Sequence, residues 1–260
     1  MDNIIDKFVL DQLSVWPMAA SNFRDLKNVE TRSLEVGGLE VRLQHNPARI
    51  RSSAAKVDKA SLQARKCFLC SENRPQEQIS MEFEGRKGRK YNILINPYPI
   101  FPEHLVIARN THVPQSIWHR LPDKTDLARH HPSFTIFYNG PKCGASAPDH
   151  FHFQACPRGL MPLENDIDRL LDEKKAGKPA ETLTYLTSVQ DAELFHYAKF
   201  TKGVFVLAAT TSKSMAKLFY RLLDCLPQRE YRADVQSAGM VQAEAFPEDF
   251  RNIPRKVRRI

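Results

Sequence analysis

At 260 residues, 42% hydrophobic and 26% charged, the chain has the composition of an ordinary soluble globular protein and can bury a substantial core as one large domain or two small ones. Its first residues, Met1 to Lys7, lack the basic, apolar and small-residue layout of a secretory signal, and no later apolar run is long enough to span a bilayer, so the expected location is cytoplasmic with no membrane partner. The formal charge of +8 draws on Arg251, Arg255, Lys256, Arg258 and Arg259 at the very end, a solvated basic tail rather than a groove reader; without an RNP1-type signature nucleic acid is not the expected partner, and the remaining positive excess suits anionic substrates.

Ile4, Ile5, Phe8, Val9, Leu13 and Trp16 form a helical stripe that Pro17 is expected to end. Residues 33–43 alternate around Gly37-Gly38 and predict a β-hairpin, followed by a polar segment over 45–53. Residues 79–83 and 90–95 are expected to pair as strands across the Gly85 to Gly88 turn, with another short strand at 104–108. The segment 114–129 is expected to be helical with an interruption at Pro122, and 133–138 is a strand. Beyond it, 163–175 has the pattern of an amphipathic helix and 178–187 has no clear pattern. Residues 203–208 are expected to be a strand and 212–226 a helix with Met215, Leu218, Phe219 and Leu222 on one side; little is assignable over 236–260.

Chemistry concentrates in Asn139 to Ala155. Gly140-Pro141, Gly144 and Pro148 make a turn whose small residues let an anion approach the backbone. If His150 to Ala155 is a strand, His150, His152 and Gln154 share one face while Phe151, Phe153 and Ala155 share the core-directed one. A neutral imidazole is nucleophilic at pH 7 and leaves readily once bonded to phosphorus, so this row suits attack on a phosphate ester, with the Gln154 amide holding a non-bridging oxygen. The plain alternative is an amphipathic strand with two half-buried, hydrogen-bonded histidines.

These residues resemble the active strand of the histidine-triad superfamily, in the branch where Gln replaces the third His. That branch includes galactose-1-phosphate uridylyltransferase, the diadenosine tetraphosphate phosphorylases and the GDP-L-galactose phosphorylases. Gly-Pro-x-x-Gly-Ala-Ser-x-Pro at 140–148 resembles the first two, and His-Phe-His-Phe-Gln-Ala at 150–155 the third. The resemblance implies an α+β fold with a strongly bent antiparallel sheet and flanking helices: residues 1–160 as a nucleotidyltransferase half, and 161–260 as a partial second half with a helix and the basic tail. It makes His152 the nucleophile, with Ser146 and Gln154 gripping the phosphates. Asn96, after the strand that precedes the Asn96-Pro-Tyr-Pro turn, would bind ribose, or else simply cap that turn. Asn139, Lys142 and the turn amides at Gly144 would assist. The polar segment with Arg49 and Arg51 would run beside the phosphates, unless these are plain surface arginines.

Five cysteines without a secretory signal argue against a disulfide framework. Cys143, Cys156 and Cys225 are scattered and are expected to be small buried hydrophobes. Cys67 and Cys70 have the spacing of a zinc knuckle, whose two thiolates fill adjacent corners of a tetrahedron. Zinc-bearing relatives of the superfamily place the other two ligands at positions corresponding to His112 and His150, which implies a closed, structural zinc site. A redox pair, loss of the metal, or His104, His130 or His131 in place of His112 remain open. The expected function is nucleotidyl transfer or phosphorolysis on a nucleoside diphosphate sugar or dinucleoside polyphosphate, through a nucleotidyl-histidine and with inorganic phosphate or a sugar phosphate as acceptor. The alternatives are a histidine-triad-type nucleotide hydrolase and a non-catalytic nucleotide- or nucleic-acid-binding protein; a homodimer is compatible with each.

Overall fold

Two helices open the chain: α1 (Asn3–Val15), which buries Ile5, Phe8 and Val9, and α2 (Pro17–Asp25). α1 ends at Val15, just before Pro17 as expected, and Pro17 also begins the second helix, where a proline's missing N–H costs nothing. The structure, a computed structural model, describes residues 3–47, 57–199 and 203–226; Arg49, Arg51, residues 236–260 and the basic tail lie outside the described residues. The expected hairpin is present as β1 (Glu30–Val36) and β2 (Leu39–His45). Its turn residues have φ of +61° at Gly37 and +78° at Gly38, the left-handed pair that a two-residue hairpin turn demands. A short helix, α3 (Lys59–Ala64), is capped by Asp58, whose side chain accepts from Ser61 N.

The described residues fall into two compact units: 3–31 with 44–158, and 32–43 with 159–226. The first is built on a five-stranded antiparallel sheet of β3 (Met81–Glu84), β4 (Lys90–Ile95), β5 (Leu105–Arg109), β6 (Phe134–Phe137) and β7 (His152–Pro157), in the order β3-β4-β5-β7-β6. β7 therefore enters between β5 and β6, and Gln154 stands opposite Val106 on one side and Phe137 on the other. One face carries Ile93, Ile107, Ile136, Phe153 and Ala155 and packs under α1 and α4 (Leu121–His130) through Ile5 and Leu127. Phe151 and Phe153 are fully buried, each contributing roughly 1.5–3 kcal/mol by leaving water. That burial fixes which side chains of β7 face the other way. On the opposite face Leu94, Val106 and Ala108 pack beneath Cys67, Leu69, Cys70 and Ala147.

Two expectations are corrected here. Pro122 lies in the first turn of α4 and starts that helix rather than interrupting one, while 114–120 is irregular. The active strand begins at His152 and not at His150, because His150 N closes a turn onto Ala147 O and its ring is drawn elsewhere.

The second unit adds α5 (Pro162–Lys175) and an antiparallel sheet of β8 (Leu183–Val189), β9 (Ala192–Tyr197) and β10 (Val204–Ala208), in the order β10-β9-β8, and then α6 (Ser212–Cys225). Phe195 and Tyr197 pack with Leu170 of α5 and Leu39 of β2, whereas Ala192 and Leu194 pack with Leu218 and Leu222 of α6. The strand alternation thus gives each helix its own sheet face. The protein is an α+β chain of antiparallel sheets with flanking helices, as its sequence suggests. Among the described residues no helix is long and apolar enough to cross a membrane.

Candidate active site and metal centre

His152, the first residue of β7, is held from three directions. Its backbone faces Ala108 of β5 on one side. On the other side β6 has already ended, and the buried side chain of Gln115 takes the missing strand's place: Oε1 accepts from His152 N at 2.8 Å and Nε2 donates to His152 O at 3.0 Å. The same Nε2 donates to Asn139 O at 2.9 Å, and Gln115 N donates to Pro148 O at 3.1 Å, so both ends of the glycine-bearing turn are tied to the histidine. The ring is fixed as well. Nδ1 lies 2.9 Å from the His150 carbonyl and must be the protonated nitrogen, which leaves Nε2 with the lone pair. Burial pulls the His152 pKa below the usual imidazole range, and the hydrogen bond to the His150 carbonyl opposes this.

Gln154, two residues on and half-buried, shares that face of β7. Its Oε1 accepts from Nε2 of buried His104 at 2.9 Å, and its amino group has no hydrogen-bond partner among the described residues. His150 does not complete the row. Its Nδ1 lies 3.3 Å from Cys67 Sγ and 3.5 Å from Cys70 Sγ, while His112 Nδ1 lies 3.2 Å from Cys70 Sγ. All four ligand atoms fall within 4.8 Å of one another. The edge of a tetrahedron with sulfur ~2.3 Å and nitrogen ~2.0 Å from its centre is about 3.5 Å, so these separations suit a four-coordinate cation. His150 Nε2 donates to Arg109 O at 2.7 Å, which turns the Nδ1 lone pair toward the sulfurs.

Burial, followed by the adjoining Cys67 thiol, pushes the Cys70 thiol up to about 12. A cation at the centre of the cluster would convert the Cys70 thiol to a thiolate, and two sulfurs with two imidazole nitrogens are a four-ligand set of the kind zinc takes, so this donor set fits a metal. Neither His104 nor His130 joins the cluster; the latter directs Nδ1 at Asp126 O. The cysteine pair leads into a 3-10 turn at Ser71–Asn73, not the long helix that a redox pair would open.

The remaining candidates are arranged around the turn. Asn96 behaves as a turn cap, its Oδ1 accepting from Tyr98 N at 3.0 Å. Lys142 and Gly144 are exposed, the latter at φ of +82°. Ser146 is half-buried, and its carbonyl accepts from Arg65, whose guanidinium also pairs with Asp149 at 2.9 Å. Cys143 is exposed in the same turn and Cys225 is only partly covered, so of the three scattered cysteines Cys156 alone is a buried hydrophobe. Sequence reading missed Gln115 and Arg65 and gave His104 no role beside Gln154. No local pattern marks them, since their partners are brought together only by the fold.

The model of the family described as Domain of unknown function (DUF4922) matches residues 8–157. The chain belongs to this family. The DUF4922 match ends on the last residue of β7, so it encloses the cysteine–histidine cluster, Gln115, His152 and Gln154. A curated relative, Protein APA1 of Saccharomyces cerevisiae, is 26% identical to this DUF4922 chain over 135 residues, 46% of the chain and 40% of that protein. The chain thus matches well under half the length of that relative. The crystal structure of yeast Ap4A phosphorylase Apa2 in complex with Ap4A superposes with a TM-score of 0.51 at 17% identity, over 81% of this chain and 72% of that one. At that identity the likeness is one of fold.

Proposed function

We propose that this protein is a nucleotidyltransferase of the phosphorylase type, acting on a dinucleoside polyphosphate such as Ap4A through a nucleotidyl group carried on His152. The observation that carries the reading is the His152 ring, which the His150 carbonyl holds with an unprotonated Nε2 on the same face as the Gln154 amino group. Support also comes from the fold shared with a yeast Ap4A phosphorylase and from the relation to Protein APA1.

In the first step Nε2 attacks the α-phosphorus; an N–P bond forms, the P–O bond to the leaving nucleoside polyphosphate breaks, and the positive charge gained by the ring is shared with the His150 carbonyl through Nδ1–H. Inorganic phosphate then attacks the same phosphorus, the N–P bond breaks, and a nucleoside diphosphate leaves. The Gln154 N–H donors, Ser146, Asn139, Lys142 and the turn amides near Gly144 hold the phosphate oxygens as charge grows on them. Asn96, Arg49 and Arg51 serve the ribose and the outer phosphates. Cys67, Cys70, His112 and His150 hold zinc, which when bound fastens the segment around Cys67 and Cys70 to the start of β7. Residues 161–260 are a partial second half of the same architecture.

Incubation of Ap4A with the purified chain and inorganic phosphate should give ATP and ADP in equal amounts, with little turnover when phosphate is left out. Phosphate-independent release of AMP would instead make the protein a hydrolase, and binding without turnover would leave it a nucleotide-binding protein.

A further inference from the structure

We propose that His104 is a positioning residue that orients the Gln154 amide so that only its N–H donors meet the phosphate. This rests on the transfer reading above and extends it to a residue outside the strand and the cysteine–histidine cluster. The chain of hydrogen bonds starts at a backbone amide. Ile100 N donates to His104 Nδ1 at 3.4 Å, which makes Nδ1 the acceptor and puts the ring proton on Nε2. Nε2–H then donates to Gln154 Oε1 at 2.9 Å.

A glutamine amide left to itself presents oxygen as readily as nitrogen, and its oxygen repels a phosphate. With Oε1 engaged by a donor, the far end of the amide is the NH2 group. The ring that enforces this cannot easily turn. It is 1% exposed, lies nearly parallel to Phe137 with centroids 6.2 Å apart, and meets Phe101 edge-on at 5.6 Å. Phe137 is also the cross-strand neighbour of Gln154, so the same aromatic ring confines both partners.

Two substitutions that differ by one methylene separate this role from packing. His104→Asn keeps an amide near the Nδ1 position and leaves nothing to donate where Nε2 was; His104→Gln carries a donor to the Nε2 position. Rapid-quench measurement of nucleotidyl-enzyme formation on the full chain with labelled Ap4A should show the rate constant falling about 10-fold or more in His104→Asn, with the Kd for Ap4A changed far less, and recovery of most of the loss in His104→Gln. Nitrogen-15 NMR of the histidine rings, which needs no activity, should find His104 as the Nε2–H form and its resonances displaced in Gln154→Leu. A labelled wild type with an undiminished His104→Asn, or an Nδ1–H tautomer at His104, overturns the positioning role while leaving the transfer reading intact. A wild type that takes no label while His104 is found as the Nε2–H form overturns the transfer reading and, with it, the role of His104 in transfer.

Discussion

Gln115 illustrates how much of the site depends on one side chain. It supplies both hydrogen bonds that a strand beside His152 would have made and adds a third to Asn139. Gln115→Leu keeps the volume but strands a buried N–H and two carbonyls, so it should cost roughly 2–4 kcal/mol, read as a lower urea midpoint, and should depress nucleotidyl transfer further than folding loss explains. Asp123 makes the same argument away from the site. It is fully buried and accepts from Arg86 N, the Arg89 guanidinium and the Tyr91 hydroxyl. Asp123→Ala leaves Arg89 without its buried partner and should destabilise by roughly 3–5 kcal/mol in denaturant titration, whereas Arg169→Ala, at an exposed pair on α5, should change stability by less than about 1 kcal/mol. Only the Cys67/Cys70 pair and the row from His150 to Gln154 carry a signal of local spacing; His112 and His150 were named as ligands, and His152 as the nucleophile, through the family resemblance. Gln115 and His104 carry no such signal, since their partners lie 37 and 50 residues away along the chain.

Elements were readable where the apolar period was regular and misread where backbone chemistry overrode it. Pro17 does mark the end of α1, but Pro122, taken as an interruption, lies in a first helical turn, a place where proline is preorganised rather than disruptive. β8 escaped notice because its ladder with β9 carries an irregularity between Tyr185 and Thr187, which spoils the two-residue alternation that marks a strand. Gly85 reads as turn punctuation, but a Cβ there would come within 2.8 Å of Asp123 Cγ and 2.9 Å of a Tyr91 ring carbon. Gly85→Ala should therefore lower stability by roughly 1–3 kcal/mol through overpacking, measured by thermal unfolding. The segment around Cys67 and Cys70 depends on the cation its donor set suits. Native mass spectrometry should find one zinc per chain, and a strong chelator should lower Tm and speed hydrogen exchange over residues 67–73 and 150–152; unchanged exchange after chelation would remove the clamp from the account.

At the scale of the molecule, the α+β class came from the family resemblance, whereas the five strands of the first sheet were readable directly, because each is a short apolar run set off by turn residues. Of the three strands of the second sheet only β10 was assigned from the sequence, with α6 after it, while β8 and β9 were not. The DUF4922 match covers the first sheet and its candidate site, while the fold likeness to the yeast phosphorylase reaches over 81% of the chain. The central claim is that a nucleotidyl group passes through His152 Nε2. Intact-mass spectrometry of the protein quenched seconds after mixing with Ap4A, without phosphate, tests this most directly. A mass gain of one adenylyl group, mapped to His152, absent in His152→Ala and discharged by added phosphate, is the predicted result; full turnover of Ap4A by His152→Ala, or an adduct on any other residue, would contradict it.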